Sequence, residues 1–138
     1  MTATWLRPGE RIVDLRLARS GARAAMLVDD GQRTTLRVSG VVRGSDGVPN
    51  ALTEPILLPS SGSEDSVEWA GDTNLLVSAY AAKPDERVVP RIVSVDGTVR
   101  ELNPLGGLRG ISAGDDGAYY AETEEFVFLL VGLSLIHI

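Results

Sequence analysis

The chain has 138 residues, 43% of them hydrophobic, which is enough for one globular domain with its own core and argues against extended disorder. Thirteen basic residues stand against nineteen acidic ones, for a net charge of −6. Because the basic residues are scattered, nucleic acid is not expected as a partner, since phosphate binding needs clustered Lys and Arg. The absence of cysteine excludes a disulfide framework and thiolate metal sites, and says nothing about compartment.

No signal peptide is visible at Met1-Thr2-Ala3-Thr4-Trp5, and no run approaches the roughly 20 apolar residues of a membrane helix. Strand signals come next, at short spacing. Ile12 to Leu17 alternates in part, and Ser20-Gly21 turns the chain into Arg23-Ala24-Ala25-Met26-Leu27-Val28. Asp29-Asp30-Gly31 leads into Thr34 to Arg43, which Asp46-Gly47 ends. Asp-Gly between apolar runs favours a tight hairpin, because Gly takes positive φ without a Cβ clash. The first block therefore reads as a β-meander.

Val48 to Pro59 carries Pro49, Pro55 and Pro59, so it cannot form a central strand, since proline removes ladder donors. Ser60 to Asp65 is a polar loop and a boundary between repeats. A second block follows, with Ser66-Val67-Glu68-Trp69-Ala70, a buried strand over Asn74 to Tyr80, an irregularly started strand over Val88 to Val95, an Asp96-Gly97 turn and Thr98 to Leu102. A third opens at Leu108 to Ala113, turns at Asp116-Gly117 into Ala118 to Thr123, and continues with Phe126 to Leu130.

Val13, Val67 and Ile111 mark opening strands that recur at about 45–55 residues, the repeat length of four-stranded propeller blades. No segment carries helical periodicity with caps. The fold class expected is all-β, a partial β-propeller of about two complete four-stranded antiparallel blades plus part of a third, spanning 1–132. An antiparallel β-sandwich, which also offers short strands and frequent turns, is the alternative.

The end of the chain, Leu133-Ser134-Leu135-Ile136-His137-Ile138, matches the translation of a common transposon-based sequencing adapter. Residues 133–138 are therefore expected to be a tail foreign to the native domain, which leaves the third blade cut short. The lone histidine, His137, belongs to that tail.

Gly110-Ile111-Ser112-Ala113-Gly114 fits Gly-x-Ser-x-Gly, but a nucleophile elbow needs a helix after the serine, and here a turn and a strand follow. No base is at hand either, so no catalytic residue is assigned. Asp29-Asp30-Gly31 and Asp115-Asp116-Gly117 lack the dense oxygen set that calcium needs and read as hairpin turns; no metal or cofactor site is assigned. Glu122, Glu124 and Glu125 read as a solvated strand end rather than paired acid and base. Trp5 and Trp69 read as core residues between blades rather than ligand-stacking rings. Arg7, Arg11, Arg16, Arg19, Arg23, Arg33, Arg37 and Arg43 enrich the first block in positive charge, either as a partner-facing patch or as solvated strand residues.

Trp5-Leu6-Arg7-Pro8-Gly9-Glu10-Arg11-Ile12, Leu15 to Ala25, Val41 to Gly47, Val67-Glu68-Trp69-Ala70, Val93-Ser94-Val95-Asp96-Gly97 and Ile111-Ser112-Ala113-Gly114, taken together and in order, resemble the propeller of the actinobacterial LpqB lipoproteins. The likeness runs over 1–132. It departs where the family usually reads Leu-Arg-x-Ser-x-Asp-Gly in the first blade and this chain has Ala18 and Ser20; Ser20-Gly21 still allows the turn. The family's lipobox with its lipidated cysteine, its upstream germination-protein-like (GerMN) domain and its remaining blades are not in this sequence.

The resemblance implies a non-catalytic, cell-membrane-anchored envelope lipoprotein associated with MtrA/MtrB two-component signalling. Its expected partner is a protein, the extracellular part of the sensor histidine kinase, with membrane association through a lipid anchor. It implies no cofactor and no catalytic or ligand-binding position to carry over. Two other readings stand beside it: a TolB-like propeller accompanying a serine hydrolase domain, and a propeller that takes a small ligand in its central channel.

Overall fold

The computed structural model describes residues 1–113, 119–123, 127–131 and 134–137, the last two stretches as backbone strands. The chain forms β1 (Arg11–Leu17), β2 (Arg23–Asp29), β3 (Thr34–Arg43), β4 (Pro49–Leu52), β5 (Ile56–Leu58), β6 (Ser66–Ala70), β7 (Asn74–Ser78), β8 (Arg87–Val88), β9 (Arg91–Ser94), β10 (Val99–Glu101), β11 (Leu105–Gly106), β12 (Gly110–Ala113), β13 (Tyr119–Glu122), β14 (Val127–Val131) and β15 (Ser134–His137). All of the ladders between these strands are antiparallel.

The strands sort into three successive meanders. The first sheet runs β1-β2-β3, and β3 is long enough to pair with β5 along its first half and β4 along its second. The second is β6-β7-β9-β10, and the third is β12-β13-β14-β15. A small β8–β11 pair ties the second meander to the segment before the third. The opening strands start at Arg11, Ser66 and Gly110, the long repeat expected of blades. Residues 133 and 138 lie outside the described residues, and Ser134–His137 pairs with Val127–Val131 as the fourth strand of the third sheet.

The proline-rich stretch behaves as its chemistry requires. Pro49 occupies the first position of β4, and Pro55 and Pro59 stand just outside β5. Both strands lie at the margin of the sheet, where a missing N–H costs no ladder bond. The Asp-Gly turns also form locally: Asp46 Oδ1 accepts from Val48 N at 3.0 Å and Asp96 Oδ1 accepts from Thr98 N at 2.9 Å.

The packing separates the two candidate architectures. In β2, Ala25 and Leu27 join a core with Trp69, Leu75, Val77 and Val93 of the second sheet. Their neighbours Ala24, Met26 and Val28 point the other way, into a core with Leu52, Ala3, Trp5 and Leu6. In β7, Leu75 and Val77 face the first sheet, while Leu76 faces Ile111, Tyr119 and Ala121 of the third. A sandwich sheet covers one face only and alternates along its strands, whereas these middle strands are buried on both faces and read as unbroken apolar runs. The opening strands lie side by side, β1 against β6 and β6 against β12. Three sheets stacked face to face around their opening strands are consecutive propeller blades.

Candidate functional site

The opening strands line the inner side of the stack, and there the chain places charge. A register shift between Ile12 and Asp14 marks a bulge at Val13. The bulge turns Val13 outward, 43% exposed, and aims Asp14 across the seam between the first two blades. Val13 is thus not the structural counterpart of buried Val67 and Ile111, although the block spacing it marked is real. Asp14 Oδ2 accepts from Val67 N at 3.1 Å. Arg16 stands 3.5 Å from Asp14 Oδ1 and 3.6 Å from Glu68 Oε1 on β6. The Trp69 indole N–H donates to the Arg16 carbonyl at 2.8 Å.

This cluster is a clamp. Arg16 lies between two carboxylates, one from each blade, so neither is an isolated proton donor or acceptor. Burial pushes the Glu68 carboxyl above its usual range; Arg16 opposes that shift and Asp14 adds to it. Farther out, Arg23 Nη1 donates to Asp72 O at 2.9 Å and adds a second stitch across the same seam. The seam between the second and third blades is closed by Ala81 N donating to Leu108 O at 2.8 Å and Gly107 N donating to Glu86 O at 2.9 Å. Tyr119, its phenol pushed up by burial, reaches Asn74 across that seam.

The residues singled out from sequence fall as follows. Ser112 lies inside β12, exposed and paired with Tyr120, not on a strand-to-helix turn, and Gly114 lies outside the described residues. Asp29 and Asp30 serve their turn: Asp29 Oδ1 accepts from Gly31 N, and Asp30 Oδ1 accepts from Gln32 N and Arg33 N, all at 2.9 Å. Asp115, Asp116 and Gly117 lie outside the described residues, as do Glu124 and Glu125. Glu122 is exposed and paired with Arg109 at 3.3 Å.

Trp69 is 7% exposed and sits between blades, as expected. Trp5 differs: it packs on the face of the first blade turned away from the second, with its N–H donating to Leu52 O at 3.2 Å. The Arg37 guanidinium lies 5.8 Å from the centre of the Trp5 ring and 2.6 Å from Glu10. That group, with Arg7, Pro55 and exposed Leu57, walls a surface hollow of about 300 Å³.

The arginine-rich first block does not make a free basic patch. Arg11 pairs with Asp29, Arg37 with Glu10, and Arg16 with Asp14 and Glu68. Arg43 donates to Gly21 O and Gly47 O, and Arg23 to Asp72 O. Most of that charge fastens turns and blades.

Sequence reasoning passed over Asp14 and Glu68. The signal available was their placement: each is a lone acid in the middle of an opening strand whose neighbours are apolar.

Compared with family models, the chain matches one described as the lipoprotein LpqB beta-propeller domain, over residues 1–128. No curated protein and no solved structure matches it.

Proposed function

The chain belongs to the LpqB β-propeller family, and from that premise we propose that it is the protein-binding, non-catalytic part of an envelope lipoprotein. Its partner in this reading is the extracellular domain of the sensor kinase of the MtrA/MtrB system. The protein is held outside the cytoplasmic membrane by a lipid anchor carried elsewhere in the gene product.

The observation that carries this reading is the family match over residues 1–128. The site geometry agrees with it. The charged groups of the opening strands are tied to one another across the first seam, an arrangement that fixes the relative placement of blades. A rigid scaffold of that kind presents its loops to a partner without doing chemistry itself. Fold alone does not assign a partner, so the test has to be direct.

Binding of the purified chain to the immobilised extracellular domain of the kinase, followed by surface plasmon resonance, is the experiment. Saturable binding that survives physiological salt is expected. A flat response with a folded chain overturns the partner assignment.

A further inference from the structure

Glu64 is 3% exposed, and among the described residues no ion pair involves it. Its two carboxylate oxygens accept from the backbone N–H groups of Ser61 and of Gly62, the latter at 3.3 Å. A carboxylate offers about four acceptor positions, so half of its capacity is left over. A buried charge without a counter-charge is costly, and such groups are ordinarily paired.

A pocket of about 240 Å³ opens beside it, at the end of the second blade where the linker between blades meets β7 and β9. Its lining combines the hydroxyls of Ser61, Ser63 and Ser78 with the apolar side chains of Val77, Val88 and Val89. Arg91 also lines it, but its guanidinium is held by Glu101, at 3.1 Å from Nε and 3.0 Å from Nη2.

We propose that this pocket receives a lysine side chain of a protein partner, the ammonium against Glu64 and the serine oxygens, the methylenes along the valines. The source of the lysine rests on the protein-binding reading above; the pocket chemistry does not. A hard metal ion is a poor fit, because it needs six or more oxygens and one carboxylate is present. Arginine is a poor fit too, since its planar fork wants both carboxylate oxygens free, and each already accepts a backbone N–H. Lysine brings a point charge on an apolar stem, which matches a lining of one carboxylate, three hydroxyls and three valines.

The test is an NMR titration of the 138-residue chain with Nα-acetyl-lysine N-methylamide, read at the amides of Ser61, Ser63 and Ser78. Saturable shifts are expected with this probe and none with its norleucine or Nε-acetyl counterparts. Glu64→Gln should weaken the response at least about tenfold, the worth of one charge-assisted hydrogen bond. Val89→Trp fills the mouth without touching Glu64 and should abolish it, which keeps the test sound if Glu64→Gln does not fold. An equal response to norleucine, or one indifferent to Val89→Trp, overturns the proposal. Probe binding without kinase-domain binding supports the pocket and overturns the partner; the converse overturns the pocket alone.

Discussion

The indole N–H of Trp69 donates to the backbone carbonyl of Arg16 at 2.8 Å, joining two residues fifty-three positions apart across the first inter-blade seam. The same arginine reaches back to Glu68 with its side chain, so backbone and side chain of Arg16 grip adjacent residues of β6. Trp69→Phe keeps the buried ring but leaves that carbonyl unpaired, and should cost about 1 kcal/mol. Trp69→Ala also opens a cavity in the seam and should cost about 3–5 kcal/mol. Urea denaturation with unchanged m-values distinguishes the two.

Glu68 gives the seam a pH dependence of known sign. Its carboxyl is held above the usual range by burial, so the folded chain binds that proton more tightly than the unfolded chain does. As pH rises from the unfolded value through the raised folded one, this group subtracts stability. Glu68→Gln should therefore gain on the parent as pH climbs from the ordinary glutamate range upward through the raised folded value, measured by urea midpoints at each pH. A constant difference between the two proteins contradicts this.

The segment before β1 covers the outer face of the first blade. Thr2 N donates to Asn50 O at 2.9 Å, Leu52 N donates to Thr2 O at 2.8 Å, and Trp5 lies over Met26 and Val28. The other face of β2 and both faces of β7 are covered by a neighbouring blade. Covering that outer face of the first blade removes apolar surface that would otherwise be adhesive. Trp5→Ala should cost about 3 kcal/mol, the low end for a large aromatic because the ring is half-buried. It should also raise dye binding and self-association, followed by ANS fluorescence and light scattering.

Gly107 combines a φ of +69° with crowding: a Cβ placed there would stand 2.5 Å from the Pro84 carbonyl oxygen. Gly47 has a comparable φ of +78° and open space around it. Gly47→Ala should cost about 1 kcal/mol for the left-handed backbone alone. Gly107→Ala should cost at least about 2 kcal/mol more than that, since backbone must move or the second and third blades must part. Paired thermal melts measure the difference.

What could be read from the sequence was what short-range chemistry decides. Asp46-Gly47 and Asp96-Gly97 turn where they stand because the side chain and the glycine act within four residues. Pro49, Pro55 and Pro59 keep their segment at the sheet margin for the same local reason. The Ser112 motif fails on its own continuation, a strand. The pairing of Asp14 with Val67 and Glu68 was not legible, because it depends on a bulge at Val13 and on the register between two blades. Trp5 shows the same limit: its indole reads as a core residue between blades, but only the packing says that it lies on the face of the first blade turned away from the second. Buried Glu64 sits in a loop of serines and glycine that reads as solvent-exposed.

Leu75 and Leu76 test the central claim most directly, for they are adjacent on β7, both 0% exposed, and packed into different cores. Stacked blades require both faces of β7 to be covered, so Leu75→Ala and Leu76→Ala should each cost about 2–5 kcal/mol in urea denaturation. A cost at one position and a change within about 0.5 kcal/mol at the other, as for a solvent-facing residue, would contradict the propeller and restore the sandwich.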